Sequence, residues 1–455
     1  MFDESKIVLQ FAAVSDLQHG YEPKMTKYFD TGERGRECFR QLRELALQYN
    51  DRGLDAVFFA GDIINNAKAS QVESFKAVYE DVLDPAQTPF IFCLGNHDIF
   101  SGRSYTHHHL NMDTFYRILG DAYRTYEPET SDPVKGFIHQ IVGGYHFLAI
   151  DPLDSGYVCE KGDDSGAKYA PEAKEWLDTM LAKITAEQPD RYVFVTTHPM
   201  IHGLAYGGDL VFNTLYWYAK ELVPILEKYP QVVAFGGHLH FPISDERSIM
   251  QDKFTGVNCG AMSYMAIENG GYQYMANATV MLDASEVSNG YLAQLDAQGN
   301  LRLIRMNFGL KKTIKDPFVL PAPAADGSHL WPYSRERRVK NNQPPVLAEN
   351  AISVADNGAW VKDEALRVAV SFRSGTDDDA VQRYVLTVTE DGKEVETARL
   401  LADGYLYASS ADMKLFWTVD LAENTYFKGH TYTVALTAYD CWDAESNTVT
   451  CIYCP

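Results

Sequence analysis

The apolar residues of this chain come in short runs, and in its first part five of those runs end abruptly in polar clusters. Ile7 to Val14 gives way to Ser15-Asp16-Leu17-Gln18-His19, and Ala56 to Ala60 to Gly61-Asp62-Ile63-Ile64-Asn65. Phe90 to Leu94, bounded by Pro89 and Gly95, runs into Asn96-His97-Asp98. Tyr192 to Thr196 precedes Thr197-His198-Pro199, and Val232 to Phe235 precedes Gly236-Gly237-His238-Leu239-His240. Continuous apolar runs of this length between glycine and proline read as buried strands. Between them Glu33 to Asn50 places Phe39, Leu42, Leu45, Ala46 and Tyr49 at helical spacing. Ser70 to Leu83 does the same with Phe75, Val78, Tyr79 and Val82. Strand alternating with helix predicts right-handed crossovers and a largely parallel sheet covered by helices.

From Ser101 to Gly144 the pattern loosens, which suits a long substrate-binding loop behind a polar cluster. Tyr145 to Ile150 reads as a strand, and Pro171 opens a helix whose core face carries Trp176, Met180 and Ile184. Phe212 to Tyr229 reads as a helix, and Phe254 to Val257 and Thr279 to Asp283 as strands. Tyr291 to Leu295 and Leu301 to Asn307 form a hairpin through Asp296-Ala297-Gln298-Gly299-Asn300. Residues 313–345, rich in proline and basic at Arg335 to Lys340, read as a linker draped over the first domain through Trp331 and Tyr333. Beyond it Leu366 to Phe372, Tyr384 to Thr389, Lys414 to Val419 and Thr431 to Ala438 alternate with period two. These predict a small antiparallel β-sandwich over 346–455. Its ending, Tyr432 to Asp440, resembles the last strands of fibronectin type III-like modules.

Length adds a constraint, since 455 residues exceed one ordinary core and two domains are the expectation. A formal net charge of -22 argues against a nucleic acid backbone or an anionic membrane as the main partner. It leaves room for a small phosphorylated substrate, because bound cations set the local sign of a site. No apolar stretch is long enough for a membrane span. The start lacks the marks of a signal peptide, so the expected location is cytoplasmic, or secreted or at the surface if a signal has been removed. Seven cysteines, an odd number, give no disulfide framework, and Cys451 and Cys454 lack the second pair a zinc site would need.

The polar clusters carry the chemistry. Five strands each deliver Asp, Asn or His to one sheet edge, where side chains can face a common crevice. In order and spacing the set resembles the calcineurin-like metallophosphoesterase superfamily, whose blocks read Asp-x-His, Gly-Asp-x-x-Asp/Asn, Gly-Asn-His-Asp/Glu, a lone His and Gly-His-x-His. The resemblance implies an α/β fold, an αββα sandwich of two β-sheets flanked by helices, over residues 1–312. It implies a hydrolase cleaving a phosphoester or pyrophosphate bond by attack of a metal-bound hydroxide, with two divalent ions, manganese favoured over iron or zinc. Asp62 would bridge the ions. One ion would take Asp16, Asp62 and His240, with Gln18 where the family usually has histidine, and the other Asp62, Asn96, His198 and His238. Asn96 would contact the phosphoryl group, His97 would contact it or protonate the leaving oxygen, and His107 on the following loop is a further candidate contact. The oligomeric state stays open.

Gln18 is the main departure, because an amide oxygen is a weaker ligand than imidazole. Gln18 could ligate directly or through water, His19 could turn inward instead, or the site could hold one ion. The first is favoured, since His19 has the wrong strand parity unless the chain kinks. Similar Asp-x-Gln openings occur in branches that resemble ADP-ribose and CDP-alcohol diphosphatases and in protein-phosphatase-like members. Asn65, where many relatives carry aspartate, could accompany the exchange. Alternatives are protein phosphatase-like or nucleotide phosphodiesterase activity, or a non-catalytic binding protein on the same fold. For Phe100, Tyr105, Tyr206 and Tyr264, packing is the plainer reading beside base stacking.

Overall fold

The computed structural model describes residues 2–21, 30–100, 110–153, 166–208, 217–268, 270–273, 286–361, 365–405, 413–421 and 426–455. The chain divides into two compact units, one of residues 1–268 and 279–337, the other of 269–278 and 338–455.

In the first unit the expected alternation appears. β1 (Ile7–Val14), α1 (Thr31–Leu47), β2 (Ala56–Ala60), α2 (Ala69–Glu80) and β3 (Phe90–Cys93) follow in order. After α3 (Asn96–Ile99) and α4 (Met112–Leu119) come β4 (Phe137–Val142), β5 (Tyr145–Ile150), α5 (Pro171–Glu187) and β6 (Val193–Thr196). Next are α6 (Val223–Leu226), β7 (Val232–Gly236), β8 (Ile249–Gln251), β9 (Thr255–Asn258), β10 (Asn289–Asp296) and β11 (Leu301–Asn307). β12 (Lys312–Thr313) and β13 (Phe318–Leu320) complete the series, and α7 (Arg335–Asn341) spans the division in sequence between the two units.

One sheet runs β12-β11-β10-β1-β2-β3, with β13 on β11, and the other β4-β5-β6-β7-β9-β8. β1, β2 and β3 are mutually parallel, as are β5, β6, β7 and β9, so their carboxyl ends share one edge in each sheet. Alternation along each strand decides what meets what. Phe11 of β1 lies edge-on to Phe147 of β5 at 5.0 Å and Phe58 of β2 to Phe235 of β7 at 5.7 Å, so an aromatic layer joins the sheets. The neighbouring Phe59 turns the other way, to Phe90, which packs on Phe75 and Tyr79 of α2. Leu177, Leu181 and Ile184 of α5 share a core with Val193, Val195 and Ala234 on the far sheet. This is the αββα sandwich the sequence implied.

Several elements differ from expectation. In the stretch from Ser101 to Gly144, residues 110–144 hold α4, capped by the Asn111 side chain, and β4, which turns back into β5 through Gly143 and Gly144 at φ 59° and 79°. β4 was illegible because its alternation is broken by two buried polar residues, His139 and Gln140. The helix expected from Phe212 shrinks, among the described residues, to α6, because Pro224 fits only its first turn. The strand expected at Thr279–Asp283 lies outside the described residues. Within the segment read as a linker, β12 and β13 extend the first sheet, and the Val319 amide donates to the Tyr333 hydroxyl at 2.6 Å. Tyr333 stands edge-on to Phe318, whereas Trp331 lies against His329.

The second unit is all β. β14 (Ile352–Val361), β15 (Ala365–Arg373), β16 (Val381–Glu390), β17 (Lys393–Leu401), β18 (Phe416–Asp420), β19 (Tyr426–Phe427), β20 (Tyr432–Asp440) and β21 (Val449–Tyr453) form two antiparallel sheets. Their orders are β14-β15-β18, with β19 on β15, and β17-β16-β20-β21. Val368, Val370, Phe372, Leu386, Val434 and Leu436 belong to one core of its own, as a small sandwich requires.

Candidate metal centre

Three of the five polar clusters, those after β1, β2 and β7, leave their strands through left-handed backbone. Asp16, Gln18, Asp62, His238 and His240 all adopt positive φ, between 47° and 75°. A residue with a Cβ pays for that conformation, and such strain concentrates where side chains must be aimed against local preference. Asp16 N–H donates to Gly61 O at 3.0 Å and Gln18 N–H to Asp62 O at 2.8 Å, tying the β1 and β2 loops together. Two glycines make room. A Cβ on Gly95 would lie 2.2 Å from Asp62 Oδ1, and one on Gly237 would lie 1.9 Å from Ser15 Oγ.

The predicted residues converge around Asp62. His198 Nε2 approaches Asp62 Oδ2 at 3.3 Å and Asp16 Oδ1 at 4.0 Å. His240 Nε2 lies 3.2 Å from Asp16 Oδ1, and the Gln18 amide sits 3.4 Å from both Asp62 Oδ2 and His240 Nε2. On the other side His238 Nδ1 lies 3.1 Å from Asn96 Oδ1. Donor atoms of Asp62, His198 and His238 all fall within 4.8 Å of one another. The cluster therefore has two halves, Asp16, Gln18 and His240 against Asn96, His198 and His238, with Asp62 between them.

The outer partners prepare these groups for cations. His198 Nδ1–H donates to Ala60 O at 2.7 Å and His240 Nδ1–H to Tyr264 O at 2.9 Å, so each turns an unprotonated Nε2 toward the carboxylates when neutral. Asp16 Oδ1 and His198 Nε2 are buried without a hydrogen-bond partner. Buried polar atoms are normally paired, so unpaired ones converging on one point fit a cation position. The mixed carboxylate, amide and imidazole set suits divalent manganese, iron or zinc.

Electrostatics agrees. Burial pushes Asp62 up, but the fields of His198 and His97 outweigh it and hold the carboxyl well below its ordinary range. Burial pushes His198 down, yet Asp62 and Asp16 raise it to about 9. His238 is driven down to about 3 by burial and by His198. Two carboxylates thus call for positive charge, and a proton on His198 competes with a metal for that role.

Around this cluster the structure sorts the remaining candidates. His19 Nε2 turns to Ser74 Oγ on α2, so Gln18, and not His19, occupies the position beside Asp62. His97 N–H donates to Asp62 Oδ1 at 2.9 Å, and its Nδ1–H donates to the Asn65 carbonyl at 2.9 Å. His107 lies outside the described residues, as does Tyr105. Asp98, given no role from the sequence, accepts from Gly95, Ile63 and Ile64 amides at 2.9, 3.2 and 2.8 Å. It clamps the Asp62 loop to the Asn96 loop, and burial together with Asp62 raises it to about 8. Two aromatic walls flank the cluster, one from Trp217, which the sequence did not single out, and one from Tyr264, read there as a packing residue. Trp217 stands edge-on to His238 at 4.9 Å and to His198 at 5.9 Å, and Tyr264 leans on His240 at 4.3 Å.

Comparison with known proteins gives the following. Residues 9–242 match the family described as calcineurin-like phosphoesterase. No curated protein matches the sequence. Among solved structures the chain is similar to a purple acid phosphatase from yellow lupin (Lupinus luteus) seeds, with 17% identity and a TM-score of 0.45. That likeness covers 72% of this chain and 56% of the lupin chain, so the chain spans little more than half of its relative. It is also similar to PhoD, with 12% identity, a TM-score of 0.40 and 70% of each chain covered. A third likeness is to a candidate 5'-nucleotidase from Staphylococcus aureus, with 11% identity, a TM-score of 0.38, and 98% of this chain and 89% of that one covered.

Proposed function

The chain belongs to the calcineurin-like phosphoesterase family of metal-dependent hydrolases, and on that premise we propose that it cleaves a phosphoester or phosphoanhydride bond of a small phosphorylated substrate at two divalent ions. The observation that carries this reading is the convergence of buried, hydrogen-bond-free donor atoms on Asp62. Asp16, Gln18, Asp62 and His240 would hold one ion, and Asp62, Asn96, His198 and His238 the other. The oxygen-rich first set favours manganese. Divalent ions bound there supply Lewis-acid stabilisation of phosphoryl oxygens and make water acidic enough to attack phosphorus near neutral pH.

The chain's own groups do the rest. Asp62 Oδ1, fixed by the His97 amide, cannot rotate without breaking that bond. The Asn65 carbonyl holds the His97 proton on Nδ1, leaving Nε2 for the substrate. Once protonated, Nε2 would donate to the departing oxygen. Asp98 keeps the two loops in register, so that His97 and Asp62 face the same phosphoryl group.

The test is hydrolysis of bis-p-nitrophenyl phosphate, p-nitrophenyl phosphate, ADP-ribose and CDP-choline with Mn²⁺, against EDTA and against Asp62→Ala. Turnover that disappears with EDTA and falls by roughly a thousandfold or more in Asp62→Ala is the expected result. Unchanged turnover in Asp62→Ala would remove Asp62 from the centre of the account, and the preferred compound separates diesterase, monoesterase and diphosphatase readings.

A further inference from the structure

The two halves of the cluster are walled differently. Trp217, beside His198 and His238, is only 2% exposed and closes that side. The Gln18 side instead carries a column of rings. Tyr264 lies on His240 at 4.3 Å and 34°, and Tyr21 on Tyr264 at 5.5 Å and 36°. Both tyrosines are half-buried, unlike the fully buried Tyr79 and Tyr291 of the core.

We propose that Tyr21 and Tyr264 form a stacking platform at the Gln18 side of the metal centre, giving the site a preference for phosphorylated compounds that carry a flat ring such as a nucleobase. The proposal rests on the phosphoesterase reading and names the substrate class within it.

The column is anchored to the site's own loops. Tyr21 N–H donates to Gln18 O at 2.9 Å. Ser263 N–H donates to Asp16 O at 3.0 Å, and Tyr264 O accepts from His240 at 2.9 Å. Tyr264 lies on His240, and Tyr21 adds a second ring one step further out, away from the metal-facing residues described. Aromatic faces of this kind bind bases by stacking with little regard for base identity. Stacking predicts a platform, and a purely structural column predicts none.

Adenosine 5'-monophosphate and ribose 5-phosphate differ only by the base, so their binding to the Mn²⁺-loaded full chain isolates the platform. Isothermal titration is expected to show the adenosine compound binding roughly tenfold or more tightly. Tyr21→Leu should erase most of that difference while leaving ribose 5-phosphate binding in place, and Tyr21→Trp should retain it. Tyr21→Trp keeps the comparison usable if Tyr21→Leu fails to fold. Equal binding of the two compounds to the unaltered chain, or a difference that survives Tyr21→Leu, overturns the platform even if phosphoester hydrolysis is found. A Tyr21-dependent difference in a chain that hydrolyses nothing would sustain the platform and sink the hydrolase reading instead.

Discussion

Gly95 is the smallest residue of the site and among the least replaceable. A methyl group there would sit 2.2 Å from Asp62 Oδ1 and 2.6 Å from Asp62 N, both fixed parts of the cluster. Gly95→Ala is therefore expected to lower Mn²⁺-dependent hydrolysis by about a hundredfold or more and to reduce bound metal, measured by elemental analysis beside the circular dichroism spectrum. Retained metal and rate would mean that the Asp62 loop can shift at little cost. Gln18 makes the opposite kind of prediction. Gln18→His places an imidazole where an amide now lies 3.4 Å from Asp62 Oδ2. It should tighten the weaker ion's binding by roughly tenfold, read by competition with a chelator. Most of this residue-scale detail was legible, since Asp16, Asp62, Asn96, His198, His238 and His240 were all named from their places at strand ends. Asp98 and Trp217 were not assigned roles, and Tyr264 was read only as a packing residue. Asp98 acts through backbone amides of a loop distant in sequence, and the aromatic walls arrive from segments with no periodic signature.

At the scale of elements, the β4–β5 hairpin holds the feature least like its sequence expectation. His139 Nε2 and His146 Nδ1 lie 2.8 Å apart, with Thr130 Oγ1 at 2.8 Å from His139 Nδ1 and Gln188 Nε2 at 3.2 Å from His146 Nε2. Only one proton fits between the two rings, so the two imidazoles cannot both be charged. Burial, with smaller contributions from His146 and Lys183, lowers His139 to about 4, and burial also lowers His146 despite Glu187. Both folded values lie below the unfolded ones, so the unfolded chain binds more protons as pH falls through roughly 6.5 to 4. Stability should accordingly fall over that window, by on the order of 1–3 kcal/mol, and His139→Gln should flatten that part of the denaturant-midpoint profile. An unaltered profile in the variant would show that the hairpin does not carry the pH dependence. These buried histidines are also why β4 was missed, because period-two alternation is a signal of apolar burial and a paired polar core residue erases it.

At the scale of the molecule, the strand–helix alternation announced the first unit and the period-two runs the second, each from patterns confined to its own stretch of sequence. The edges of those stretches were harder. Phe318–Leu320 joins the first sheet although its proline-rich surroundings read as linker, because a three-residue edge strand is too short to show alternation. Each unit has a separate hydrophobic core, and the candidate metal ligands all belong to the first. Metal removal should therefore lower only the first unit's transition in calorimetry, by several degrees if the ions are present at about a hundred times their dissociation constants. A shift of both transitions would show that the second unit's stability also depends on the metal.

Whether Asp62 lies between two cation positions is tested most directly by anomalous X-ray scattering from crystals soaked in Mn²⁺. Two manganese peaks are expected to flank the Asp62 carboxylate, one within reach of Asp16, Gln18 and His240 and the other of Asn96, His198 and His238. A single peak, or manganese bound elsewhere with Asp62 unligated, would contradict that arrangement.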